Sequence, residues 1–209
     1  MPGTLSEITE HGRQHETVPT PPAPGSDEQW MLALSQGHRE AFDVLFVRYK
    51  QPIFAFFYRR VGDAAQAEEL SQETWIVLYR SAPKYEHRAL FRTYLYAIAL
   101  KVLQSHRRKA ALRATFFGEA KHEPSSSNSL DTTLLMRDAL SKLDRHEREI
   151  LMLREFEQLG YAEIAELLHL PVNTVRSRLF RARSALHGIL SAPAPSPANT
   201  SLLTVKERA

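Results

Sequence analysis

Helical periodicity without any strand signal is the feature that most narrows what this chain can fold into. From about residue 27 to residue 190 apolar side chains recur three and four positions apart. No Asn-Gly or Asp-Gly hairpin dipeptide and no sustained alternation of Val, Ile and Thr interrupts them. Such a chain buries apolar surface by packing helix on helix, so the fold class is expected to be all-α. Eight of the twelve prolines stand outside the middle of the chain: Pro2, Pro19, Pro21, Pro22 and Pro24 in front, Pro193, Pro195 and Pro197 behind. Residues 1–26 and 192–209 are therefore expected to be disordered tails. A second break runs from Glu119 to Thr133, where Pro124, Ser125, Ser126, Ser127, Asn128 and Ser129 leave too little apolar surface to offset chain entropy. Two small helical domains, 27–113 and 134–191, joined by a flexible linker over 114–133, are the expected organisation.

Local signals place the helices. Ser26 or Asp27 can cap a helix that starts with Glu28, Gln29 and Trp30, and Gly37 ends it. Arg39 to Tyr49 forms a second, Pro52 is expected to restart the chain before Ile53 to Arg60, and Asp63 caps a helix from Ala64 to Ser81, stopped by Pro83. A further helix spans Leu90 to Lys109. In the second domain the pattern marks Leu134–Lys142, His146–Glu157, Tyr161–Leu168 and Val172–Leu190.

No stretch of about 18 apolar residues occurs, so no membrane-spanning helix is expected and the chain is placed in the cytoplasm. With no cysteine, disulfides, thiolate metal sites and cysteine nucleophiles are excluded. Lys plus Arg 27 against Asp plus Glu 24 gives a net charge of only +3, but the charges are segregated. From His87 to Gly118 seven basic residues stand without an acid, and Arg176, Arg178, Arg181 and Arg183 cluster on one helix. Two basic surfaces suit a polyanion, whose neutralised phosphates release counterions. Asp63, Glu68, Glu69 and Glu73 form the opposite pole, which either complements its own helix dipole or meets a partner. By helical phase Ala67, Leu70, Thr74, Val77 and Leu78 are expected inside, with Glu68, Glu69, Gln72, Ile76 and Tyr79 outside. An apolar centre with a polar rim is the makeup of a protein-binding patch.

Tyr161–Leu168, the turn at His169, Leu170 and Pro171, and the helix from Val172 have the spacing of a helix-turn-helix. Ile164, Ala165, Leu168, Leu170, Val175, Leu179, Ala182 and Leu186 point inward. Asn173, Ser177, Phe180 and Ser184 point outward, flanked by Thr174, Arg176 and Arg181. An exposed Phe between arginines suits a major groove, with its thymine methyls and guanine acceptors.

The segment Leu159-Gly160-Tyr161-Ala162-Glu163-Ile164-Ala165 and the run Pro171 to Arg183 resemble region 4 of extracytoplasmic-function sigma factors of the sigma-70 family. Arg39-Glu40-Ala41-Phe42, Ala67 to Trp75 (AEELSQETW) and Phe91 to Ala99 (FRTYLYAIA) resemble their region 2. The likeness covers about Asp27 to Leu190. It implies a dissociable initiation subunit without catalytic chemistry or cofactor, a monomer when free, that directs RNA polymerase core enzyme to promoters in response to a stress or envelope signal. Glu69, Gln72, Glu73 and Ile76 are implied to dock on the clamp of the largest polymerase subunit, the second domain near the flap. The minus-ten element is implied to meet Tyr85, Arg88, Arg92, Tyr96, Lys101, Arg107 and Arg108, where aromatic platforms beside basic groups hold unpaired bases. Phe91 is expected in the core and Tyr96 outside. The minus-thirty-five duplex is implied to meet Asn173, Thr174, Arg176, Ser177, Phe180 and Arg181. An anti-sigma factor that clamps the two domains is a further implied partner, and the linker is either threaded through the RNA exit path or a plain tether.

The chain also departs from the family pattern. Leu100-Lys101 stands where many members have Arg-Asn, and Ser105 replaces an Asp. His169 and Asn173 replace glycines of the turn, and both residue types tolerate positive φ. Two other function classes fit parts of the sequence. A regulator that binds duplex operators without polymerase needs the same recognition helix but no acidic helix. A nucleic-acid enzyme finds no metal-ligand spacing among the nine histidines and no Gly-rich phosphate loop.

Overall fold

The structure is a computed structural model that describes residues 25–117 and 131–191. Most of both expected tails and the centre of the expected linker lie outside the described residues. Helix α1 (Asp27–Ser35) starts as its sequence requires, with the Ser26 hydroxyl accepting from the Gln29 amide at 3.3 Å. Gly37 then takes φ 98°, a left-handed turn open to glycine at no steric cost.

Helix α2 (Glu40–Val61) is one continuous helix with Pro52 inside it, not two segments that break there. An interior proline loses an intrahelical hydrogen bond and crowds the carbonyl four residues back, at a cost of about 3 kcal/mol. Packing outweighs that cost: Leu45 lies on one side of Pro52, Ile53, Phe56 and Phe57 lie on the other, and all four are fully buried. Fully burying each such side chain is worth about 1.5–3 kcal/mol. Gly62, at φ 77°, ends the helix.

Helix α3 (Ala64–Ser81) begins at Asp63, whose carboxylate accepts from the Gln66 amide at 2.8 Å, and gives way to a single 3-10 turn, Ala82–Lys84, that carries Pro83. Helix α4 (Phe91–Phe117) runs past the expected end at Lys109 and into the stretch expected to be linker. Helices α1 to α4 pack around Met31, Leu45, Phe56, Phe57, Leu78, Phe91, Leu95 and Leu103.

The remaining four helices are α5 (Asp131–Ser141), α6 (Arg145–Glu155), α7 (Tyr161–Leu168) and α8 (Val172–Ser191). Asp144 caps α6 by accepting from the amides of His146 and Glu147. The Glu163 carboxylate reaches back to the Gly160 amide at 2.7 Å and fastens the first turn of α7. His169 closes α7 in the left-handed region at φ 53°, as its residue type allows. Asn173 lies in the first turn of α8 and takes no positive φ, so only one of the two glycine replacements has a conformational role. Ile150, Leu153, Leu159, Ile164, Val175, Leu179 and Ala182 are buried in this part of the chain and continue the core of the first four helices. Helix α7 also packs on α4, which joins the two helix groups face to face.

Candidate functional site

The outer face of α3 is largely as its phase predicts. Glu68, Glu69 and Gln72 are exposed, Glu73 is half-buried, Ile76 is 49% exposed and Tyr79 is 40% exposed. Val77, expected inside, is instead exposed, while Trp75 is buried. The aromatic residues of α2 explain the rotation. Trp75 packs edge-on against Phe42 and Phe46, at 5.9 and 5.1 Å between ring centres, and Phe42 also meets Tyr79 at 5.6 Å. Those edge contacts turn the apolar stripe of α3 toward α2 and leave Val77 at the margin. An apolar groove lined by Phe46, Phe54 and Trp75, with Glu68 and Gln72 at its rim, continues this patch.

The residues expected to hold the minus-ten strand divide into three groups. Tyr85, Arg88 and Lys101 line one cleft of about 580 Å³ with Thr93 and Tyr94, and Glu166 to His169 form its far wall. Tyr85 is buried, its ring 5.1 Å from that of Tyr94; burial, with Glu28 and Tyr94 nearby, pushes its hydroxyl up to about 12. Arg92 does not line that cleft but is bound to the second helix group. Its Nε and Nη2 donate to the two Glu163 oxygens at 2.9 and 2.7 Å, and the Thr93 hydroxyl donates to the same carboxylate at 2.9 Å. Burial works against the ionised Glu163, yet Arg92, the Gly160 amide and Thr93 together hold its carboxyl below the ordinary range. Arg107 lines a separate cavity further along α4, and Arg108 is exposed.

Tyr96 departs from its expected place. It was assigned to the outer face by helical phase, but only 4% of it is exposed. Its ring lies 5.5 Å from Phe56, and burial together with the neighbouring Glu157 carboxylate raises its hydroxyl pKa. The outward face of α4 at this position is covered by the second helix group. Tyr96 is therefore not a free platform for a base in this packing, and Arg92 is not a free phosphate ligand.

Sequence reasoning missed the contact that covers them. Arg59 Nη2 donates to both oxygens of Glu157 at 3.0 and 2.9 Å, and Arg60 Nη1 donates to Glu157 at 3.0 Å. Arg60 also donates through Nε and Nη2 to Glu149 at 3.0 and 2.9 Å. The Glu157 and Arg60 side chains are each 1% exposed, so this is a buried ionic cluster and not a surface pair. The Arg60 guanidinium further lies 3.7 Å from the centre of the Phe56 ring, and the Arg59 guanidinium 4.9 Å from that of Phe156. The partners are up to 98 positions apart, and nothing local in the sequence marks them as a pair.

The recognition face of α8 is open. Asn173, Arg176, Ser177 and Arg181 are exposed, Thr174 is half-buried, and Phe180 is 72% exposed. Val175, Leu179 and Ala182 are buried as predicted. Arg181 forms an ion pair with Glu147 at 3.0 Å and Arg183 donates to Glu155 at 2.6 Å, so both side chains are held against α6. Among the described residues, no cluster of His, Asp and Glu could hold a metal ion, and no helix is long and apolar enough to cross a membrane.

Residues 45–113 match the sigma-70 region 2 family and residues 133–186 match sigma-70 region 4. The chain is 34% identical to the RNA polymerase sigma-H factor of Pseudomonas aeruginosa over 177 residues, covering 77% of this chain and 91% of that one. It is 31% identical to the ECF RNA polymerase sigma-E factor of Escherichia coli K12, covering 77% and 92%. Two solved structures share the fold at a TM-score of 0.61 and 22% identity. One is CnrH in complex with the cytosolic domain of CnrY, covering 80% of this chain and 99% of that one. The other is the sigma factor RpoE in complex with the anti-sigma factor NepR from Bartonella quintana, covering 73% and 98%. With region 2 and region 4 in order on an all-helical frame, the chain belongs to the extracytoplasmic-function sigma factors of the sigma-70 family.

Proposed function

We propose that this sigma factor docks on RNA polymerase core enzyme through the outer face of α3, with Glu69, Gln72, Glu73 and Ile76 as its contacts. The same reading has it capture the melted minus-ten strand in the cleft of Tyr85, Arg88 and Lys101, and read the minus-thirty-five duplex with Arg176, Ser177, Phe180 and Arg181. Arg92, Arg107 and Arg108 add phosphate contacts once the two helix groups part. The observation that carries the reading is the coexistence of an exposed Ile76 within an acidic face and an exposed Phe180 within a basic one. Each is costly in water and each suits a different partner. The chain has no catalytic role of its own in this scheme, and its place is the cytoplasm, where polymerase and promoters are.

Run-off transcription with core enzyme over a genomic promoter library tests the proposal. Promoter-specific transcripts that disappear with Ile76→Asp, while duplex binding persists, are expected. No transcript from any promoter, alongside tight autonomous duplex binding, would point to an operator-binding regulator instead. An anti-sigma factor that holds the two helix groups together is part of the proposal, since the two solved structures named above are complexes, one of them with an anti-sigma factor. Recovery of the untagged chain only as a free, active monomer from unstressed cells contradicts that part.

A further inference from the structure

Between the two helix groups, arginines outnumber the carboxylates that could neutralise them. A cavity of about 320 Å³ is lined by Arg59 and Arg60 of α2, Arg107 of α4, and Arg145, Arg148 and Glu149 of α6. Arg59 and Arg60 are paired with Glu157 and Glu149. Arg107, Arg145 and Arg148 make no side-chain ion pair or hydrogen bond among the described residues, and Glu149, the one carboxylate in the lining, already serves Arg60. Burial lowers the pKa of Arg107; Glu149 opposes this, whereas Arg145, Arg60 and Arg148 add to it. Closing the two helix groups thus gathers three unneutralised guanidiniums around one partly enclosed space, an arrangement that repels itself when empty of anions.

We infer that this cavity binds the phosphate chain of a small polyphosphate, which bridges Arg107 of α4 to Arg145 and Arg148 of α6 and so holds the closed packing together. The basic groups of the lining are all arginines with no lysine among them, and planar guanidinium forks match phosphate oxygens two at a time. The volume is at the low end of the roughly 300–1,000 Å³ of small-molecule sites, which suits a short phosphate chain better than a bulky organic body. A free inorganic polyphosphate and the tail of a nucleotide share this chemistry. The inference rests on the packing of the helix groups and not on the promoter reading, so each can fail without the other.

Isothermal titration of the full chain with inorganic tripolyphosphate, orthophosphate and ATP at fixed ionic strength tests it. Saturable one-to-one binding of tripolyphosphate is expected for the wild type and for Arg113→Ala, an exposed arginine outside the cavity. The triple variant Arg107→Ala, Arg145→Ala, Arg148→Ala should weaken it at least about a hundredfold, because charge-assisted bonds from both helix groups are removed. If the triple variant loses its helical circular dichroism, the three single variants replace it, each expected to weaken binding about tenfold. ATP binding tighter than tripolyphosphate identifies a nucleotide as the source, and the reverse order identifies an inorganic chain. Absence of saturable binding to the wild type, or equal weakening by Arg113→Ala and the cavity variants, overturns the inference and leaves only diffuse attraction to a basic surface.

Discussion

Replacing Glu157 with Gln should open the two helix groups without unfolding either. The substitution keeps the side chain's shape but removes the one charge that serves both Arg59 and Arg60. Three hydrogen bonds of 2.9–3.0 Å converge on this carboxylate, and it and Arg60 are each 1% exposed while Arg59 is 27% exposed. Removing one partner of a buried ion pair costs about 3–5 kcal/mol, because the other charge is left desolvated and unpaired. Arg60 keeps Glu149, so the lower end applies, about 3 kcal/mol. At 1.4 kcal/mol per factor of ten, the ratio of closed to open chains falls on the order of a hundredfold. Small-angle scattering reads the change as a larger radius of gyration, and circular dichroism should show unchanged helix content. Glu149→Gln should do less, since Arg60 then retains the more buried Glu157, and the two substitutions together should be non-additive through their shared Arg60. An unchanged radius of gyration would refute the reasoning. So would a loss of helix on the same scale, because Glu157 would then be holding its own helix group and not the interface.

Phe180→Ala should leave stability within about 0.5 kcal/mol, given 72% exposure, and cost roughly 1–3 kcal/mol of discrimination among duplex sequences. A thermal melt and a competition binding assay separate the two effects. Pro52→Ala restores the hydrogen bond to the Arg48 carbonyl and should stabilise the first helix group by about 2–2.5 kcal/mol, the gain of about 3 reduced by about 0.4–1 for the looser unfolded chain; urea denaturation measures it. For the Arg92–Glu163 contact, the folded carboxyl lies below the ordinary glutamate value of 4.5. Its stabilising contribution is therefore complete above pH 4.5 and lost as pH falls through the lower folded value. Glu163→Gln should abolish that acid-side step in a pH titration of chain dimensions.

What a single sequence discloses here follows the range of the interaction. Helix α7 has the boundaries its apolar spacing predicts, and the start of α3 is set by Asp63 three residues from the amide it caps. Exposure of Ile76 and Phe180, like burial of Phe91, follows from phase along one helix. Pro52 was misleading because the local cost of an interior proline is visible in sequence, whereas the burial of Ile53, Phe56 and Phe57 that outweighs it is not. Val77, expected inside, is displaced to the margin because Trp75 takes the inner position through edge contacts with Phe42 and Phe46 of a different helix. Tyr96 is the same failure at longer range: its ring packs on Phe56 of another helix, and a carboxylate 61 positions later lies beside its hydroxyl.

The segregation of charge acquires a structural meaning from these contacts. Glu149, Glu157 and Glu163 project from the second helix group onto Arg60, Arg59 and Arg92 of the first, so one of these carboxylates occupies Arg92, a guanidinium proposed to contact the promoter strand. A phosphate and a carboxylate compete for the same fork geometry on Arg92. Occupancy of Arg92 by a promoter strand and its occupancy by Glu163 therefore exclude one another, whereas Phe180 is exposed in the closed packing already. A ligand shifts such an equilibrium only by its difference in affinity for the two forms. Contacts confined to the open face of α8 are the same in both forms and supply little of that difference. In the proposed scheme, polymerase or single-stranded DNA that needs the space held by α7 would supply that difference, and the proposed polyanion in the arginine cavity would work in the opposite direction.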